Sequence, residues 1–198
     1  MKRAFVLWTG GKDSCLALHM AIAGGFEVAA LVTFVPEDEA FKAHPIGMMT
    51  KQAGSLGLLH LKVPVTPPYQ DSYRKALMGT AADLSADTVV TGDIERMNGQ
   101  PNWIRECCDG TELKVLRPLW RMPREDVFKR LFAEKIMAEV SYINDDRLPG
   151  NWLGRIIDQN FYRELKAVCE RHGLDPCGEN GEYHTMVVDS PLFSNAVG

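Results

Sequence analysis

The 198-residue chain reads as an α/β protein in which a central parallel sheet is followed by a smaller C-terminal α+β part. Three observations predict this. The apolar run Ala4–Trp8 leads through Thr9-Gly10-Gly11-Lys12-Asp13-Ser14 directly into a helical pattern. Strand-like runs and helical faces then alternate as far as Thr91, the signature of right-handed crossovers in a parallel sheet. Beyond residue 117 the alternation gives way to a different texture, so a soft boundary without a true linker separates residues 1–117 from residues 118–198.

Ala4–Trp8 is apolar almost throughout, as in a strand covered on both faces. Cys15, Leu18, His19 and Ile22 then fall on one helical face, and Gly24-Gly25 stops the helix. Val28–Phe34 is the second expected strand, residues 46–56 a helix, and Leu59–Val65 the third strand. Tyr73, Ala76, Leu77, Ala81 and Leu84 line another helix before the fourth strand, Thr88–Thr91. Lys114–Trp120 reads as an edge strand, because Pro118 cannot donate to a ladder. Pro123 fits the first turn of a helix carrying Val127, Phe128, Leu131 and Phe132, and Ile136–Ile143 reads as a strand. Phe161, Leu165, Val168, Cys169 and His172 mark a last helix closed by Gly173, with His172 near its end.

The segment Thr9–Ser14 carries the chemistry. Two glycines after a buried strand let the backbone approach a ligand closely. The first helical turn then aims unpaired N–H groups and a partial positive charge at it, which suits a phosphate. Lys12 adds a point charge, and the Asp13 carboxylate can hold magnesium. The spacing GxxxxGK followed by Ser or Thr is absent, as is GxGxxG after any strand, so neither a Walker loop nor a dinucleotide fingerprint is present. If strands one and four are neighbours, Gly92-Asp93 faces this loop across the crevice where strand order reverses. Asp93 then takes a magnesium ion or a ribose hydroxyl, or simply caps a turn.

A second polar stretch runs from Pro176 to Thr185, containing Glu179, Asn180, Gly181, Glu182, Tyr183 and His184 ahead of the apolar Met186–Val188. It reads either as a recognition loop or as a polar turn tightened at Asn180-Gly181. Cys177 and His184 are too few to build the four-ligand set of a structural zinc site.

Composition narrows the function classes. A net charge of −4 weighs against a nucleic-acid partner, and no apolar stretch reaches the ~20 residues of a membrane span. Met1-Lys2-Arg3 enters a strand without a signal-peptide pattern, and five cysteines, an odd number without CxxC, suit a reducing cytoplasm. A cytoplasmic protein is therefore expected.

The motifs TGGKDSC, GDI at 92–94, PLW at 118–120, WLGR at 152–155 and PCGENGEYHTMVVDSPLF together resemble the diphthine–ammonia ligase family. That family belongs to the N-type ATP pyrophosphatases, whose loop reads SGG-x-DS. The likeness runs from residue 4 to 193. It implies a Rossmann-like adenine nucleotide alpha-hydrolase fold with an ATP-pyrophosphatase domain over residues 1–117. It also implies ATP and Mg²⁺ as cofactors, with Thr9, Gly10, Gly11, Lys12, Asp13, Ser14, Gly92 and Asp93 on the nucleotide. Glu179, Asn180, Gly181, Glu182, Tyr183, His184 and Thr185 would shape the acceptor pocket. Three departures stand out: Thr9 replaces Ser, Asn180 stands where Gly is common, and Glu95–Gly110 follows its own pattern, with Asn98-Gly99-Gln100-Pro101 and the vicinal Cys107-Cys108. Asn180 is expected to take a left-handed backbone, and the vicinal cysteines to pack.

The chemistry so implied is adenylation of a carboxylate with release of pyrophosphate, then displacement of AMP by ammonia. Lys12 and the loop would stabilise the leaving group, and Asp13 with Asp93 would hold Mg²⁺. Glu182 and His184 would orient the acceptor or deprotonate ammonium. Lys2 stands where one class of glutaminase has its nucleophilic cysteine, so free ammonia is the expected donor. The partners are thus a carboxylate acceptor, on a modified protein side chain or a small molecule, and ammonia, with a homodimer left open. Alternatives are a different carboxylate in a bacterium, a transfer-RNA thiolase or lysidine-type synthetase, and an ATP-binding module that does not turn over.

Overall fold

The computed structural model describes residues 2–36, 45–95, 102–144, 146, 148 and 151–197, so Asn98-Gly99-Gln100-Pro101 lies outside the described residues. Five parallel strands, β1 (Lys2–Leu7), β2 (Phe26–Pro36), β3 (Leu59–Val65), β4 (Thr88–Val90) and β5 (Lys114–Leu116), form a sheet in the order β3-β2-β1-β4-β5. Strand order reverses between β1 and β4, and the Gly10 loop and Gly92 both follow these central strands. The predicted crevice is where the sequence put it.

Helices α1 (Lys12–Ala23), α2 (Ile46–Ser55), α3 (Tyr69–Asp83) and the short α4 (Trp103–Cys107) connect these strands. Residues 124–189 supply α5 (Arg124–Ala133), β6 (Met137–Ile143), α6 (Gln159–His172) and β7 (Tyr183–Asp189). β6 and β7 pair antiparallel, and the 154–157 segment adds a bridge from Ile156 to Glu139. Asp158 caps α6 by accepting the Phe161 N–H at 2.7 Å, and Gly173 ends it in the left-handed conformation.

The largest apolar cluster crosses the whole chain. It joins Ala4, Val6 and Trp8 of the first strand and its loop to Leu16 and Leu18 of α1, Phe128 and Leu131 of α5, Phe161 of α6 and Val187 of β7. Helix α1 therefore lies between the sheet and the C-terminal elements. This explains why Lys12, Ser14 and His19 are buried on it alongside its apolar residues. Ile22, expected on the buried face, is 40 % exposed, because the helix outlasts its cover at that end.

Three expectations change in detail. β5 is an edge strand but stops at Leu116, and Pro118 lies in the turn beyond it. The strand expected to begin at Met186 begins at Tyr183, so Tyr183, His184 and Thr185 leave the loop and join the β6–β7 ladder. The left-handed residues of the polar stretch are Gly178 and Gly181, not Asn180. Asn180 instead turns its backbone N–H and side-chain amide to Glu182, at 3.0 and 3.3 Å. Cys107 and Cys108 are buried in a second cluster with Phe5, Val89 and Leu113.

Candidate active site

The loop after β1 is clasped by a strand from the far end of the chain. The Lys12 N–H, first in α1, donates to Thr185 Oγ1 at 3.0 Å, and the Val187 N–H donates to the Gly10 carbonyl at 2.9 Å. Gln52 of α2, fully buried, completes the clasp. Its amide nitrogen donates to the Gly10 carbonyl at 3.0 Å and the Val187 carbonyl at 2.7 Å, while its oxygen accepts the Trp8 indole N–H at 3.0 Å. Gly10 has φ +75°, and a β-carbon there would meet Gln52 Oε1 at 2.5 Å. Only glycine combines that backbone with that space.

Gly92 faces the same loop. A β-carbon on it would lie 2.6 Å from the Asp13 carbonyl carbon and 2.8 Å from the Ser14 nitrogen, so the segment after β4 rests directly on the helix start. Among the described residues, the N–H groups of Gly11, Asp13 and Ser14 find no protein acceptor. These are the donors a phosphate would meet. Thr9 is exposed and its hydroxyl lies 3.3 Å from Ser14 Oγ.

Lys12 departs from expectation. Its ammonium is buried, donates to Asp13 Oδ2 at 2.7 Å and to the Cys177 carbonyl at 2.7 Å, and lies 5.6 Å from the Tyr183 ring centre. Burial works against its charge, but Asp13 foremost, together with Tyr183 and Cys177, outweighs this and holds the ammonium above the ordinary lysine range. A side chain so engaged locks the loop to Cys177 and does not reach outward as a free point charge.

Asp13 has one oxygen on Lys12, while Oδ1 is buried with no hydrogen-bond partner. Burial pushes its carboxyl upward against the opposing pull of Lys12. A buried, orphaned carboxylate oxygen beside unpaired N–H donors fits a magnesium ion shared with phosphate oxygens, since magnesium commonly takes one or two carboxylates and completes its shell from substrate. Asp93 does not fit as the second ligand. Its carboxylate accepts from the Asn102 side chain, and its charge bears on Arg117, which is itself close to Arg105 and Arg121. Guanidinium neighbours compete with a cation for that carboxylate.

The polar stretch divides into supports and one candidate group. Glu182 is buried and accepts N–H bonds from Asp175 and Asn180 at 3.0 Å, so its carboxylate braces the loop and does not face an acceptor. The Tyr183 hydroxyl donates to the Pro176 carbonyl at 2.6 Å, and burial raises its pKa. His184 alternates to the other face of β7 from Tyr183 and Thr185, where its ring lies 5.4 Å from Tyr142. Burial, with help from Lys12, lowers its pKa. Glu179 differs from these. Burial and then the Asp13 charge push its carboxyl up to about 7.

Sequence reasoning missed Gln52, and it missed Arg124. The Arg124 guanidinium holds Asp175 through Nε at 2.8 Å and Nη2 at 2.6 Å, and also takes Glu95 at 2.7 Å. This ties the segment after β4 to the polar stretch across a cavity of about 780 Å³ bordered by Arg121, Arg124, Asp175 and Asn180. No local pattern marks either residue, because their partners are remote in sequence.

The comparisons with known proteins agree with this architecture. Residues 1–115 match the family model described as diphthamide synthase N-terminal domain, and residues 124–197 match the diphthamide synthase C-terminal domain. The chain belongs to the diphthamide synthase family, a family of ligases. It is 25 % identical to the human diphthine–ammonia ligase over 98 % of this chain and 82 % of that one. It is 27 % identical to the fission-yeast (Schizosaccharomyces pombe) diphthine–ammonia ligase over 96 % of this chain and 35 % of that one. Among solved structures, a predicted subunit of tRNA methyltransferase from Methanocaldococcus jannaschii aligns over 96 % of this chain and 98 % of that chain. Its TM-score of 0.47 and 15 % identity are too low to bear on function. Among the described residues, no helix is long and apolar enough to cross a membrane.

Proposed function

We propose that this protein is an ATP-dependent amide ligase that adenylates a substrate carboxylate, releases pyrophosphate and then admits ammonia to displace AMP. The observation that carries this reading is the juxtaposition at the switch point of open N–H groups, the orphaned Asp13 Oδ1 and a glycine wall at Gly92. A free carboxylate repels nucleophiles and offers no leaving group; joined to AMP, it has one.

Each residue then has a distinct task. The Gly11, Asp13 and Ser14 N–H groups bind phosphate oxygens at the positive end of α1, and each donor of this kind is worth ~3 kcal/mol at a developing charge. Asp13 Oδ1 would hold Mg²⁺, which offsets phosphate charge. Gln52, Thr185 and Lys12 keep the loop in register, so those donors are already aimed when substrate arrives. Glu179 is the group suited to take a proton from ammonium, since its carboxyl titrates near neutral pH and the Asp13 charge bears on it. Glu182 positions the stretch that carries Glu179.

The acceptor we infer is diphthine, from the relatives' names; the divergent Glu95–Gly110 segment favours a different carboxylate as the second reading. Incubation with ATP, Mg²⁺, ammonium and the acceptor should yield AMP and pyrophosphate in equal amounts with the amide. Release of ADP and orthophosphate instead would overturn the proposal. Bound ATP with no turnover on any carboxylate would favour a binding module.

A further inference from the structure

Two walls of the cavity of about 780 Å³ begin at residues that touch the loop after β1. Gly92 rests on the Asp13–Ser14 peptide, and Glu95, three residues later, lines the cavity. On the other side the Cys177 carbonyl accepts the Lys12 ammonium at 2.7 Å, and Asp175 and Pro176 just before it line the cavity. Three residues of chain span at most about 10 Å, so an occupant of the cavity lies within reach of the helix start.

These walls are held in place by hydrogen bonds. The Arg121 N–H donates to the Ile94 carbonyl at 2.7 Å, joining the β5–α5 connection to the segment after β4. Arg124, first in α5, donates to Asp175 through Nε at 2.8 Å and Nη2 at 2.6 Å, and to Glu95 at 2.7 Å. The N–H groups of Asp175 and Asn180 both donate to Glu182 at 3.0 Å, which steadies the third side. A cavity braced on three sides is shaped before its ligand arrives.

Its charges are unevenly matched. Asp175 and Arg124 cover each other, with side chains 13 % and 20 % exposed. Glu95 engages the same guanidinium through Oε2 alone and stays 60 % exposed. One cation thus faces two carboxylates, and the surplus negative charge rests on Glu95. Arg121, also exposed, lines the same cavity and forms no ion pair among the described residues. Met122, Pro123, Leu174 and Pro176 add apolar lining to these opposite charges.

We propose that this cavity receives the acceptor, and that the acceptor is a zwitterionic acid with an alkylated, positively charged nitrogen beside Glu95 and its carboxylate on Arg121. The inference rests on the ATP-ligase reading above. The apolar lining favours an alkylated nitrogen over a bare ammonium, because methyl groups gain from burial and need no hydrogen-bond partner. An acid without the cation forgoes the attraction of Glu95, and a second carboxylate in its place is repelled.

Glycine betaine and tert-butylacetate test this, since they share a shape and differ only by the charge on the central atom of the bulky group. In NMR titrations of the full-length protein, the wild type should bind betaine about threefold or more tightly, the scale of a partly exposed ion pair. Glu95→Gln, which keeps an oxygen for Arg124, should erase that preference, and Arg121→Gln should weaken both acids alike. Both positions are exposed, so the variants should fold. Equal binding of the two acids to the wild type, no binding of betaine, or a preference that survives Glu95→Gln overturns the proposal. So does an Arg121→Gln variant that binds both acids as the wild type does. Any of these in a protein that binds ATP leaves the ligase reading intact, whereas a wild type that binds no ATP overturns that reading itself.

Discussion

The Lys12 ammonium donates to the Cys177 carbonyl at 2.7 Å, joining residues 165 positions apart in the chain. It is also the partner of the Asp13 carboxylate. Replacing it strands an acidic group and a carbonyl in the interior, which is more damaging than losing a surface charge. Lys12→Met should lower unfolding stability by about 3 kcal/mol, seen as a lower denaturant midpoint at constant slope. The double variant Lys12→Met/Asp13→Leu should recover part of the loss. A midpoint unmoved by the single change would mean the pair is solvated.

Gln52 makes its own prediction, because three groups depend on its amide: the Trp8 indole and the carbonyls of Gly10 and Val187. Gln52→Leu keeps the volume and takes the amide away from the Trp8 indole and the Val187 carbonyl, while the Gly10 carbonyl keeps the Val187 N–H. With about 1–3 kcal/mol for each buried group left unsatisfied, a loss of about 3 kcal/mol or more is expected, together with weaker ATP binding. Hydrogen exchange should show faster exchange at Val187, whose N–H shares the Gly10 carbonyl. Protection equal to wild type would show that the clasp does not need Gln52.

Gly92→Ala places a methyl group against backbone atoms of Asp13 and Ser14 at 2.6–2.8 Å, where no side-chain rotation can help. The helix start or the β4 segment must move, and the open N–H groups move with it. Turnover should fall at least about a hundredfold, since misplacement by ~1 Å is enough for that. Steady-state kinetics beside a melting curve separates this from unfolding; near-normal turnover in a folded variant would place phosphate binding elsewhere.

On the proposed mechanism, Glu179 sets the pH dependence. A base must be unprotonated to act, so activity at limiting ammonium should rise with pH and level off above about 7, and Glu179→Gln should flatten that limb. Stability runs the other way. The folded carboxyl keeps its proton up to about 7 while the unfolded one loses it near the ordinary 4.5, so folding weakens as pH climbs through that window. Glu179→Gln should therefore melt higher than wild type at pH 8, with the difference closing by pH 4. An identical pH–rate limb in the variant would remove Glu179 from proton transfer.

The strands, the helices and the crevice were legible because each rests on local pattern: apolar runs, helical faces and glycines at turns. Leu59–Val65 matched residue for residue, and the facing of Gly92 and the Gly10 loop followed from strand order alone. What sequence could not show was which way polar side chains turn. Lys12 sits in a phosphate-loop motif yet turns inward, and Glu182 sits in a recognition-like stretch yet braces it. Asn180 avoids the left-handed conformation because Gly178 and Gly181 on either side supply it. Gln52 and Arg124 act through partners distant in the chain, and periodicity carries no trace of them.

Every strand of the parallel sheet is complete by Leu116, yet the first turn of α1 is finished by a hydroxyl and an amide contributed by Thr185 and Val187. A fragment ending at the last parallel strand would own the entire scaffold of a nucleotide binder and still lack the latch that shapes its grip. β7 leaves the ribosome well after the loop it clasps, so a nascent chain holding only its parallel sheet has that loop unlatched.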